Sequence, residues 1–287
     1  MTQLRSLLFV PVLEPRFLAK AHQRGADAVI LDLEDSIVPQ RKAEARTLIA
    51  GAAAELAGRG MRVFVRINSE PELAEQDVAA SVGAPVWGLF VPKVDTVGQL
   101  QAHIGRIERA ERAAGLAPGH TRLVALLETP LSLFNALDIA RASERLVAIG
   151  FGVEDYAAAM EQLPEPEAMS HAAQMVAIAA RAAGIGAIGL PGSIAGFSDP
   201  AALASLAGLA RRLGFTGSGC IHPNQVAPFN EAFGVSAEQA AEATEVARVF
   251  EDAMARGLGA IALHGRMIDI PVYQRALATL RRAGLRG

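Results

Sequence analysis

One cysteine, Cys220, is all the thiol chemistry that 287 residues carry. A lone thiol closes no intrachain disulfide and supplies no thiolate zinc cluster, which points to a reducing compartment, the cytoplasm. A surplus of either charge is missing too. The 27 Lys and Arg against 30 Asp and Glu leave a net charge of -3, without the basic excess or stripe of a nucleic-acid binder. No membrane span is expected, because the uncharged stretch 182–198 is broken by Pro191 and five glycines. The apolar run 7–13 contains Pro11, follows one early charge (Arg5) and lacks a small-residue cleavage site, so it reads as a buried strand rather than an export signal. Two motifs are absent as well. There is no G-x-S-x-G elbow for serine-hydrolase chemistry. After the first strand candidate the chain reads Val10-Pro11-Val12-Leu13-Glu14-Pro15, where a dinucleotide-binding fold would place G-x-G-x-x-G.

What is present is a 51% apolar chain, enough for a substantial core. Short apolar runs at 6–11, 28–33, 62–67, 88–92, 122–127, 146–151, 186–188 and 219–221 alternate with longer helical segments. The runs are mostly continuous rather than alternating, as parallel strands covered on both faces should be. Segments 41–56, 97–113 and 168–183 have the composition and 3.6-residue apolar spacing of amphipathic helices. Gly25, Gly60, Gly184 and Gly214 fall where helix C-caps belong. Eight such repeats predict a (β/α)8 TIM barrel over residues 1–234. Two further helical stretches, 237–256 and 271–283, predict a C-terminal helical extension over 235–287.

Barrel enzymes place their chemistry at the C-terminal ends of the strands. There the sequence offers Asp32-Leu33-Glu34-Asp35, Arg66-Ile67-Asn68, Lys93, Glu128, Glu154-Asp155 and His222. Carboxylates on consecutive strands, Glu128 and Asp155, suit a hard cation, Mg²⁺ or Mn²⁺. The competing reading makes Glu128 the ion-pair partner of Lys93 or Arg66 and Asp155 a helix cap; composition does not decide between Asp155 and Glu154. Arg66 suits a substrate carboxylate or thioester oxygen, or else pairs with Glu34 or Asp35. Lys93 among carboxylates reads as salt-bridged rather than as a Schiff-base amine. His222 either positions a substrate or caps the eighth unit, and Cys220 reads as a small buried apolar residue.

Taken in order, several stretches resemble one family: Arg5-Ser6-Leu7-Leu8-Phe9-Val10-Pro11, Gly25-Ala26-Asp27 through Asp32-Leu33-Glu34-Asp35, Val65-Arg66-Ile67-Asn68, Val91-Pro92-Lys93-Val94, Leu127-Glu128-Thr129, Phe151-Gly152-Val153-Glu154-Asp155, Ile221-His222-Pro223 and Gly265-Arg266-Met267-Ile268-Asp269. The chain resembles the citrate lyase beta-subunit-like proteins of the HpcH/HpaI aldolase superfamily, which include malyl-CoA and citramalyl-CoA lyases. The resemblance implies a Mg²⁺-dependent barrel enzyme that cleaves a carbon–carbon bond in a 3-hydroxyacyl-CoA thioester, giving acetyl-CoA and a 2-oxo acid. It implies Glu128 and Asp155 as metal ligands and Arg66 as the substrate-binding arginine, with Glu34 and Asp35 orienting Arg66 and metal-bound water. It places Phe9, Arg16 and Lys20 at the CoA moiety and Ile221 with His222 at another ligand contact. Asp269 becomes the acid/base, delivered to a neighbouring subunit of a homo-oligomer, a trimer or hexamer; otherwise it is the N-cap of the helix that Pro271 opens. The chain departs from the family pattern at Val12 (usually glycine), Ala173 (usually arginine), Ile188-Gly189-Leu190-Pro191 (often Ile-Asp-Gly) and Ser218 (often lysine). Other outcomes of the same machinery are a citryl-thioester lyase subunit working on an acyl-carrier protein, a thioesterase, and a non-catalytic metal-binding barrel.

Overall fold

The structure, a computed structural model, describes residues 3–286. The chain divides into two compact units, the first ending at Asn230 and the second starting at Glu231.

The first unit is a (β/α)8 barrel. Its strands are β1 (Ser6–Pro11), β2 (Ala28–Asp32), β3 (Val63–Arg66), β4 (Gly88–Val91), β5 (Arg122–Leu127), β6 (Leu146–Phe151), β7 (Gly186–Ile188) and β8 (Ser218–Cys220). All pair in parallel, in the order β7-β6-β5-β4-β3-β2-β1-β8. The two ends of this sheet meet at one parallel bridge, Ile188 to Gly217, supported by Gly189 N–H donating to the Gly217 carbonyl at 2.9 Å and Thr216 N–H to the Ala187 carbonyl at 2.8 Å. Gly217 has no alternative here. A Cβ on it would lie 1.7 Å from the Leu4 carbonyl oxygen.

Between the strands run α1 (Pro15–Ala21), α2 (Lys42–Gly58), α3 (Pro71–Ser81), α4 (Val97–Ala113), α5 (Pro130–Phe134), α6 (Ala136–Arg141), α7 (Val153–Ala159), α8 (Pro166–Ala183) and α9 (Pro200–Leu213), with α10 (Val226–Phe233) after β8. Their ends follow local chemistry. Proline opens α1, α3, α5, α8 and α9, where its missing N–H costs nothing. Thr96 and Gln99 form a reciprocal capping box at α4, and Asp199 caps α9. Gly184 and Gly214 end α8 and α9 in the left-handed conformation.

The barrel interior is filled by Leu7, Ile30, Phe64, Phe90, Val124 and Leu126, with Phe64 edge-on to both Phe90 and Trp87. These alternate residues set an inward parity that, one step further along each strand, brings polar side chains to the rim. Ile30 is followed by Asp32, Phe64 by Arg66 and Leu126 by Glu128. At the opposite side, Arg145 forms a buried fork with Glu111 at 2.8 Å to each oxygen, and Glu111 also accepts the Thr121 and Gly119 N–H groups.

The second unit contains α11 (Ala237–Ala255), the antiparallel pair β9 (Ile261–Leu263) and β10 (Arg266–Ile268), and α12 (Ile270–Arg282). Val246, Phe250, Ile268, Ala276 and Leu280 make its core. The hairpin is absent from the sequence reading, which has only a glycine-rich connection there. His264 and Gly265, both at positive φ (48° and 72°), form its two-residue turn, the backbone that matches the strands' own twist. Among the described residues no helix is long and apolar enough to cross a membrane.

Candidate active site

Strand register sets the first half of the site. Asp32 and Arg66, the last residues of β2 and β3, are direct partners across the ladder. Arg66 Nε donates to Asp32 Oδ1 at 2.7 Å and Nη2 to Oδ2 at 2.8 Å, a bidentate fork. Its Nη1 lies 2.8 Å from Glu34 Oε2 and 3.2 Å from Asp35 Oδ2, and its Cζ sits 4.9 Å over the Phe9 ring. Asp32 also accepts the N–H groups of Glu34 (3.0 Å) and Ser36 (3.1 Å). Burial pushes the Asp32 carboxyl up, but Arg66 and these donors outweigh it and hold the group below its ordinary value. Burial likewise opposes the Arg66 charge, and the bonds to Asp32 with the neighbouring carboxylates prevail, raising it. Of the partners expected for Arg66, Glu34 and Asp35 are both in contact. The principal partner, Asp32, was missed. Its signal was parity: Ile30 and Asp32 lie two apart on one face, and the face of Ile30 is the barrel interior.

The second half gathers around β4, β5 and β6. Glu128 follows β5, is 3% exposed, and its Oε2 accepts the Lys93 backbone N–H at 2.8 Å. Burial first, then Asp155 and Glu34, push the Glu128 carboxyl up to about 8. Gly152 makes room for it, since a Cβ there would fall 2.3 Å from Glu128 Cγ. The Lys93 ammonium stands 3.5 Å from Glu34 Oε1 and 3.6 Å from Asp155 Oδ1. Lys93 is therefore salt-bridged, and the alternative pairing of its ammonium with Glu128 does not form; Glu128 takes its main chain instead. Burial lowers Lys93, but Glu34 and Asp155 more than compensate and raise it. The Lys93 backbone is left-handed (φ 53°), a conformation that side-chain-bearing residues adopt at a cost of about 1–3 kcal/mol. Glu34 is raised to about 7, by burial above all.

The structure separates Glu154 from Asp155. Glu154 Oε1 accepts the Ser193 hydroxyl at 2.5 Å, whereas Asp155 turns toward Lys93 and Glu128.

Asp32, Asp35, Arg66, Glu128, Glu154 and Asp155, with Phe9, Phe90, Phe151, Ile188, Leu190 and Ile221, line one cavity of about 530 Å³ at the C-terminal ends of the strands; Glu34 and Lys93 lie behind this lining, not in it. The other expected contacts fall outside its lining. His222 caps the turn Pro223–Gln225 through Nδ1, which accepts Asn224 N–H at 3.2 Å, and its ring stacks on Phe197 at 4.3 Å. Arg16 lies over the Phe17 ring at 4.7 Å and 3.3 Å from Glu14, and Lys20 is exposed in the last turn of α1. Asp269, in the second unit, caps α12 by accepting Val272 N–H at 3.2 Å. The buried thiol of Cys220 is pushed well above its ordinary value by desolvation, as befits an inert core residue.

The donor set suits a hard divalent cation. Glu34 and Asp155 face the Lys93 ammonium, Glu128 lies close enough to both for their charges to raise its own carboxyl, and buried Glu34 Oε1 has no hydrogen-bond partner. Among the described residues no three or more Asp, Glu, His or Cys side chains form a complete ligand cage, so any cation here would need oxygens from water or substrate, as Mg²⁺ usually does.

Residues 5–223 match the model of the HpcH/HpaI aldolase/citrate lyase family. The chain belongs to that family. It is accordingly an enzyme of the aldolase and lyase class. The chain is 34% identical to citrate lyase subunit beta of Escherichia coli (strain K12) over 99% of its own length and 94% of the relative's. It is 32% identical to the L-malyl-CoA/beta-methylmalyl-CoA lyase of Cereibacter sphaeroides, covering 97% and 94%. Among solved structures, CitE from Mycobacterium tuberculosis in complex with magnesium, acetoacetate and coenzyme A superposes with a TM-score of 0.74 at 27% identity, over 97% of each chain.

Proposed function

We propose that this family member is a Mg²⁺-dependent lyase that cleaves a 3-hydroxyacyl-CoA thioester of the malyl-CoA or citramalyl-CoA type into acetyl-CoA and a 2-oxo acid. The observation that carries the reading is one cavity holding the Glu128–Asp155 carboxylate pair beside an arginine whose charge and orientation Asp32 maintains. Glu128 and Asp155 would hold the metal, which when bound supplies Lewis-acid stabilisation to the oxygen that becomes the 2-oxo acid's carbonyl. The chain's own groups do the rest. Cleavage breaks the C2–C3 bond and leaves its electron pair on the thioester as an enolate, while the 3-hydroxyl loses its proton. Arg66 meets the enolate oxygen. Nη2 carries two N–H groups, one of which goes to Asp32 Oδ2, and the second serves the developing charge. Glu34 and Asp35 keep the guanidinium facing the cavity. Asp269, supplied by a neighbouring subunit of a homo-oligomer, takes the 3-hydroxyl proton as base and returns a proton to the enolate carbon as acid, so proton loss and gain balance. Phe9 offers its face to the thioester, and Arg16 and Lys20 on α1 offer charge to the CoA phosphates.

The test is acetyl-CoA and 2-oxo acid release from malyl-CoA and citramalyl-CoA with and without Mg²⁺. Wild type should release both products only with the metal, and Glu128→Gln should be inactive yet folded by circular dichroism. Free CoA in place of acetyl-CoA would identify a thioesterase. Activity confined to an acyl-carrier-protein thioester would identify a citrate lyase subunit.

A further inference from the structure

The cavity has two unlike halves. Asp32, Arg66, Glu128 and Asp155 stand at or just past the ends of β2, β3, β5 and β6, where Phe90, Leu126 and Phe151 also line the cavity, while the side formed by β7, β8 and the loop after β7 presents Ile188, Leu190, Ile194 and Ile221 and no charged group. Ile188 and Leu190 are buried, and Ile221 is 45% exposed. One buried amide holds this second wall in place. Gln225 Nε2 donates to the Ile194 carbonyl at 2.7 Å, and its Oε1 accepts the N–H groups of Ile221 at 2.8 Å and His222 at 3.1 Å. The amide is committed to backbone and offers a ligand nothing.

The positive charges near the cavity are committed as well. Arg66 answers Asp32, Glu34 and Asp35, and Lys93 stands between Glu34 and Asp155. Among the described lining residues Arg66 is the one cation. A ligand with a single carboxylate and a hydroxyl or carbonyl oxygen places them in the polar half, and whatever else its reacting carbon carries lies against the isoleucines and Leu190. A second carboxylate there would give up part of its water against apolar side chains and meet no cation in return, which is unfavourable. An alkyl group would gain about fourfold in affinity per buried methylene.

Building on the lyase reading, we infer that the substrate's hydroxyl-bearing carbon carries an alkyl group and one carboxylate. The 2-oxo acid released is then monocarboxylic with an apolar tail, pyruvate or 2-oxobutyrate in preference to glyoxylate, and a dicarboxylic acid such as oxaloacetate is refused. Specificity resides in Leu190, Ile194 and Ile221, and Gln225 is their positioning residue.

Calorimetric titration of the full chain in Mg²⁺ with glyoxylate, pyruvate, 2-oxobutyrate and oxaloacetate reads this without turnover. Affinity should rise about fourfold at each step from glyoxylate to pyruvate to 2-oxobutyrate, and oxaloacetate should bind at least about 100-fold more weakly than 2-oxobutyrate. Ile194→Arg supplies the missing cation and should bring oxaloacetate level with 2-oxobutyrate or beyond it. Ala195→Arg, at an exposed neighbouring position, replaces that variant if it does not fold. Oxaloacetate binding wild type as tightly as 2-oxobutyrate, or gaining nothing from either arginine, overturns the inference and leaves the lyase reading intact. Failure of all four acids to bind in Mg²⁺ overturns both.

Discussion

Asp32→Asn is the sharpest probe of how the site is built, because it alters one atom type and no volume. Each Asp32 oxygen accepts two bonds: Oδ1 takes Arg66 Nε and Glu34 N–H, and Oδ2 takes Arg66 Nη2 and Ser36 N–H. Whichever way an asparagine is turned, its NH₂ faces two donors. The side chain is 2% exposed, so water cannot repair the loss. Removing one partner of a buried ion pair costs about 3–5 kcal/mol. The Glu34 contact at 2.8 Å survives, which puts the loss near the lower end, about 3 kcal/mol. At about 2–4 °C per kcal/mol for a domain this size, Tm should fall about 6–12 °C by calorimetry. Asp35→Asn is the control. Its side chain is 59% exposed at 3.2 Å from Arg66, and such a pair is worth at most about 1 kcal/mol. Equal losses in the two variants, or a neutral Asp32→Asn, would refute the view that Asp32 anchors the arginine.

Gly152→Ala should leave the barrel folded but displace the Glu128 carboxylate, whose Oε1 would lie 2.4 Å from the new methyl; Mg²⁺ at 100 times Kd, which should add about 2.7 kcal/mol to wild type in thermal unfolding, should add almost nothing to this variant. Glu111→Gln should cost about 3–5 kcal/mol, because buried Arg145 is left with only the half-exposed Glu108, 3.9 Å away, as a counter-ion. Glu111 is lowered to about 2, its bonds to Arg145, Thr121 and Gly119 outweighing burial, so its contribution is complete above the unfolded value near 4.5 and fades as pH falls toward 2. Acid titration of stability in wild type should therefore be steeper over that window than in Glu111→Gln. Asp269→Asn should lose most activity while still capping α12, and mixing it with inactive Glu128→Gln should restore partial activity. An absence of recovery after confirmed subunit exchange excludes delivery of the acid in trans.

Strands β1, β5, β6 and β7 begin and end where the expected runs do, because a strand covered on both faces writes most of its length in hydrophobic residues. The eighth was placed one residue late, at 219–221, and ends at Cys220, since the glycine-rich approach to it carries little apolar signal. The hairpin at β9 and β10 stayed hidden. Its two three-residue strands are too short for a period to show, and half of their residues face solvent. In the site, residue types at strand ends were legible and pairings were not. Register decides that Asp32, rather than the adjacent Glu34 or Asp35, faces Arg66 squarely, and register is a property of two strands. The turn of α7 similarly separates Glu154 from Asp155, which no composition distinguishes.

The single bridge between Ile188 and Gly217 gives the barrel a seam. A ring fastened by continuous ladders resists widening equally in every direction. This one is stiff from β8 around through β6 and compliant between β7 and β8, directly beneath the apolar wall that Ile188, Leu190 and Ile221 form. Breathing along that line separates few backbone pairs, so amide protons of Thr216 and Gly189 should exchange well before those of β5 and β6. The carboxylates and Arg66, set on the well-laddered arc, hold their spacing while the far wall yields. Bulkier tails could then be accommodated at constant chemistry, and selection for a longer or shorter one would find its cheapest changes along the seam.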